Sequence, residues 1–242
     1  MSSPCSTPKS QTCALVALVL GGCLVSTMAV FLRLVERNKK KHPTESIRQL
    51  TIWNLFISGM ALMAIILFIQ SSSPHSCNWL AVIGCAVISL NIFVMIARAI
   101  LLAFRRNRSA GIWTLDIISH YIWPLLTILL FLLILHRQRG VGGASVASIA
   151  LKAVMIFIGV LIMWLLLNLI LYQVCGTWAY RSNAGMPHTL TLSKWMGLLG
   201  MIGASFGLAL LGVWGVGIRK PKLRTPRKVL HLSSPHDEAT VK

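Results

Sequence analysis

Charge is what this sequence has least of. Only 12 % of its 242 residues are Asp, Glu, Lys or Arg, just 5 are acidic, and the mean hydropathy is +0.75. Soluble domains carry about 25 % charged residues, so the scarcity excludes one and places the chain in a membrane. The apolar runs lack the weak alternation over about 10 residues that barrel strands show, which excludes an outer-membrane barrel. Neither a Gly-rich phosphate loop, nor a metal-ligand cluster, nor a haem motif is present, so no cofactor or metal is expected. The six cysteines, Cys5, Cys13, Cys23, Cys77, Cys85 and Cys175, fall at spacings that match no zinc or disulfide framework. They read as small packed hydrophobes. A cleavable signal peptide is not expected, because only Lys9 precedes a first apolar run that is too long and is followed by a basic cluster.

What is present is apolar length. Six segments, 13–35, 50–69, 79–104, 114–135, 146–174 and 193–217, carry few or no charges. Each is long enough to cross roughly 30 Å of hydrocarbon as a helix. The expected fold is therefore an all-α, polytopic integral membrane bundle of six transmembrane helices over 13–217. A short N-terminal tail, 1–12, precedes it, and a basic, polar tail, 218–242, that is expected to be disordered follows it. The net charge of +18 sits in loops and tails, where it suits anionic lipid headgroups rather than nucleic acid. Lys and Arg are divided almost evenly between the two sets of alternate loops, so orientation stays open. An odd span count would reconcile the basic cluster after the first run with the basic tail, and it is the alternative to six. The Asn107-Arg108-Ser109 sequon lies in a short basic loop and reads as a chance match.

Within this hydrocarbon the segment DIISHYIWP, 116–124, places Asp116 and His120 four residues apart, on one face of a helix. Ionisable groups inside a membrane segment are expensive and mark function by default. If the spans alternate, helices two and four enter from the same side, so Thr51 and His120 lie near one membrane face. A hydroxyl, an imidazole and a carboxylate at one depth are what nucleophilic acyl transfer requires. Thr51 would attack a carbonyl, His120 would take its proton, and Asp116 would set the imidazole tautomer. Asn54, three residues from Thr51, would donate to the developing oxyanion.

Each residue also has a structural alternative. Thr51 can bond the preceding helical turn. Asp116 can complement the positive helix end or pair with Arg98. Asn54 and Asn168 can bridge helices. His120 can be a satisfied polar group between helices, and Lys152 and Arg98 can snorkel. Pro124 removes a backbone donor and is expected to kink the fourth helix below His120. Trp113 and Trp123 fit an interfacial belt, and Gly197, Gly200, Gly203, Gly207 and Gly212 form a small-residue stripe suited to a close helix neighbour.

The residues carry a resemblance. Leu50-Thr51-Ile52-Trp53-Asn54-Leu55 resembles the threonine motif of the androgen-induced family of membrane hydrolases, in which a Thr shortly precedes an Asn at the start of a membrane helix. His120-Tyr121-Ile122-Trp123-Pro124-Leu125-Leu126 resembles the histidine motif of that family's bacterial six-pass relatives, and Gly176, Trp178 and Tyr180 loosely resemble the loop before their last helix. The resemblance implies a six-helix fold and a Thr and His pair that hydrolyses fatty acid esters of hydroxy fatty acids, with Thr51 as nucleophile and His120 as its partner. An acidic residue further along helix four belongs to the family pattern, whereas 126–135 has none and Asp116 has no counterpart.

Two other readings remain. One is a small transporter or channel with Asn54, Asn91, Arg98, Asp116 and His120 along a polar path, although no helix is broken at the bilayer centre. The other is a non-catalytic scaffold whose basic tail binds headgroups or a partner. Any of the three would reside in a plasma or endoplasmic reticulum membrane in a eukaryote, or in an inner membrane in a bacterium.

Overall fold

A computed structural model describes residues 8–37, 49–70, 74–103, 117–137, 145–175 and 192–217, and all regular structure among them is helical. The helices are α1 Pro8–Arg37, α2 Leu50–Gln70, α3 Pro74–Ala103, α4 Trp123–Arg137, α5 Val146–Cys175 and α6 Leu192–Gly217. A π-helical turn, Ile118–Ile122, leads directly into α4. Helix α3 begins earlier than its apolar run. Pro74 occupies the first helical position, where a missing N–H costs nothing and φ is already helical. Ser145 caps α5 by accepting the Ser148 N–H at 3.2 Å.

Four stretches are long and apolar enough to cross a membrane: Asn78–Ile100, Ile118–His136, Val146–Val174 and Met196–Gly215. The described apolar stretches of the other two helices, Leu15–Ala29 and Leu50–Ile65, are shorter. Helix α3 is the hub, packing on α2, α4, α5 and α6. Of its span 72 % is buried, against 11 % for α5, so α5 is peripheral and turns most of its surface outward. Leu80, Ala81, Val82 and the unbroken run from Cys85 to Asn91 are buried in α3, as befits a helix surrounded on all sides. Phe131 and Ile134 of α4 and Leu55, Leu62 and Ile65 of α2 close on it. A second cluster joins Phe93 of α3 to Phe157 of α5, edge to face at 6.1 Å.

Close approach happens where glycine permits it, and not where the glycine stripe suggested. A Cβ on Gly21 of α1 would lie 2.7 Å from the Gly59 carbonyl oxygen of α2, and one on Gly59 would lie 3.1 Å from the Gly21 oxygen. These two backbones touch, as small residues allow inside membranes. On α6, by contrast, a Cβ on Gly197, Gly200, Gly203 or Gly207 would meet nothing within 4 Å, and only Gly212 faces a neighbour, Leu132. Trp123 is partly buried and packs against the main core cluster. At the N-terminal ends of α3 and α5, the exposed Lys152 ammonium lies 5.6 Å from the centre of the Trp79 ring. A cation held on an aromatic face there suits a headgroup level.

Candidate functional site

Thr51 sits in the first turn of α2, whose start is closed by the Ile52 N–H bonding to the Gln49 carbonyl at 3.0 Å. It is buried, 7 % exposed. His120 lies 69 residues further on, within the π turn, and its Nε2 is 2.6 Å from Thr51 Oγ1. The bond runs between α2 and the segment leading into α4. Two side chains that sequence could place only on the same membrane side are thus in direct contact.

The π turn makes this contact local. Pro124 has no N–H to offer the His120 carbonyl, so the α-helical bond at that position cannot form. The backbone widens instead, and the Trp123 N–H bonds to the carbonyl of Ile118. Single π turns inside helices recur at functional sites. A π turn at His120 accompanies Pro124, at the place where a kink was expected. Neighbours in sequence diverge less around a wider turn than around an α-helix, and Ser119 Oγ lies 3.0 Å from His120 Nδ1. Ser119 is buried, 3 % exposed. Both ring nitrogens of His120 therefore face a hydroxyl, Thr51 on one side and Ser119 on the other.

Asn54 is placed differently from its expected role. Its amide nitrogen donates to Asn91 Oδ1 of α3 at 2.9 Å, while Asn91 donates to Ser58 Oγ at 2.9 Å and to the Val87 carbonyl at 2.8 Å. The Ser58 hydroxyl completes the loop by donating to Asn54 Oδ1 at 3.5 Å. Asn54 and Asn91 are each 1 % exposed. This closed network is the helix-bridging arrangement, and it ties the Asn54 amide to α3.

Asp116 lies outside the described residues, as do Trp113, Gly176, Trp178, Tyr180 and the C-terminal tail. Asn168 donates to the Trp164 carbonyl one turn back, at 2.8 Å. No group of three or more His, Cys, Asp or Glu able to hold a metal is present among the described residues.

Sequence reasoning passed over Ser119 because adjacent residues on an α-helix do not face each other. The available signal was Pro124, four residues after His120, which makes that turn something other than α. Ser58 was also missed, although with Thr51 and Asn54 it falls at i, i+3 and i+7 on one face. No protein-family model, curated protein or solved structure matches the chain, so the likeness to androgen-induced membrane hydrolases rests on its quoted motifs alone.

Proposed function

We propose that the chain is a six-span integral membrane protein that hydrolyses lipid esters, with Thr51 as nucleophile and His120 as general base. The observation that carries this reading is the 2.6 Å contact between Thr51 Oγ1 and His120 Nε2 in a part-buried site. That distance is within the reach a base needs to take a hydroxyl proton. The Thr51 hydroxyl donates to the Nε2 lone pair and attacks the ester carbonyl as its proton passes to His120. Collapse of the tetrahedral intermediate expels the alcohol, which takes that proton back. Water, deprotonated by the same nitrogen, then attacks the acyl-threonine, and the fatty acid leaves as Thr51 recovers its proton. The apolar surroundings favour an acyl chain that reaches the site from the bilayer.

The six proposed spans rest on helix length. Helix α1, at 30 residues, is about 45 Å long, and α2, at 21 residues, about 30 Å, so each can cross even though its described apolar stretch is short. Basic loops and tail would hold anionic headgroups on either side.

The test is covalent labelling of purified protein with a fluorophosphonate probe, alongside hydrolysis of a fluorogenic long-chain ester in detergent. Thr51→Ala and His120→Ala are expected to abolish both while circular dichroism stays unchanged. Labelling that survives both substitutions removes the reading. A second reading is favoured by the Asn54, Ser58 and Asn91 network beside the pair: Thr51 and His120 would be one more polar tie between helices of a scaffold. Under it, wild-type protein neither labels nor hydrolyses, and Thr51→Ala lowers only thermal stability.

A further inference from the structure

We infer that Ser119 is the residue that positions His120 and selects its working tautomer, a role that Asp116 was expected to fill. The inference deepens the hydrolase reading, and only its kinetic arm depends on that reading. A neutral imidazole carries one proton. If that proton is on Nε2, the ring donates to Thr51 Oγ1 and has no lone pair with which to take the hydroxyl proton. If it is on Nδ1, Nε2 is the free base. Which form exists is set by the partner of the other nitrogen, and that partner is Ser119 Oγ at 3.0 Å.

A hydroxyl can donate or accept at this distance; in the proposed arrangement Ser119 Oγ accepts the Nδ1–H, which requires its own proton to be turned away from the ring. The row Ser119, His120 and Thr51 then runs in one sense, with Nδ1–H donating to Ser119 and the Thr51 hydroxyl donating to Nε2. When Thr51 attacks, its proton arrives on Nε2 and the ring becomes a cation held by a charge-assisted bond to Ser119. Between Thr51 and Ser119 only that proton is transferred, while the Thr51 oxygen bonds to the carbonyl carbon. The device depends on the π turn. On a regular α-helix residues 119 and 120 would point apart, whereas the turn enforced by Pro124 brings Ser119 Oγ onto the ring. Ser119 is also 3 % exposed, so water is poorly placed to replace it.

The experiment uses full-length protein in nanodiscs, with histidine labelled by nitrogen-15 and the His120 signals assigned by their loss in His120→Gln. In wild type the shifts are expected to report a proton on Nδ1 and a lone pair on Nε2. Ser119→Ala is expected to move the proton toward Nε2 and to slow fluorophosphonate labelling about tenfold, the scale of one lost hydrogen bond in a transition state. Ser119→Thr, which keeps the hydroxyl, restores both. A wild-type proton already on Nε2 overturns the inference. So does a tautomer that Ser119→Ala leaves unmoved, or one that moves instead with Asp116→Asn. If wild type does not label at all, the hydrolase reading falls while the tautomer shifts still decide the role of Ser119.

Discussion

Thr51 and Asn54 stand one turn apart on α2 and both are buried, yet their partners give them different duties. Thr51 meets a titratable ring, and the hydroxyl there is what chemistry would use. Thr51→Ser is therefore expected to keep labelling and ester hydrolysis, whereas Thr51→Val, which matches the shape without the hydroxyl, should lose both. Equal activity in the two variants would remove Thr51 from the reaction. Asn54 meets Asn91, and their loss is one of stability. Asn91→Ala leaves the buried Asn54 amide nitrogen without its acceptor and removes a donor from the Ser58 hydroxyl, at a cost of about 1–2 kcal/mol. Reversible unfolding in mixed micelles measures it, and a double-mutant cycle with Asn54→Ala should show coupling, since the two residues share one bond.

Pro124 and Gly21 show how single residues shape whole elements. Pro124→Ala restores an N–H, lets the helix close on the His120 carbonyl and removes the reason for the π turn. A proline inside a helix costs about 3 kcal/mol, so the variant is expected to be at least as stable as wild type. It should nevertheless label at least about tenfold more slowly, because His120 rotates away from Thr51. Gain of stability with loss of labelling would show that the turn serves the site. Midway along the helix that carries Thr51, α2 lies against α1 through Gly21 and Gly59. Gly21→Leu overpacks that crossing and should cost about 1–3 kcal/mol. Gly200→Leu, on the open face of α6, should change stability by less than about 0.5 kcal/mol. Thermal unfolding in detergent separates the two.

Across the whole molecule, packing is graded from the central α3 to the outward-facing α5 and α6, which is the order expected of a bundle bathed in lipid. The six spans proposed would place both termini on one side of the membrane. Single-cysteine variants at Ser3 and Thr240, in a background without the native cysteines, are expected to react alike with an impermeant maleimide in sealed vesicles. Reaction at one end only would mean an odd number of spans.

Hydropathy alone determined the helical character of the chain and most helix limits to within a few residues, because a run of about 20 uncharged residues has no other way to satisfy its backbone in hydrocarbon. It also put Thr51 and His120 on one side, provided that the spans alternate. It did not reveal which helix is central: these segments are apolar on every face, so nothing in their periodicity separates a protein-facing side from a lipid-facing one. Only tertiary structure decided that His120 meets Thr51, that Asn54 turns to Asn91, and that glycines on α1 and α2 make the close approach while those on α6 do not. Those outcomes depend on the rotation of each helix about its axis. That rotation is set by contacts between residues dozens of positions apart, and at His120 by one missing N–H.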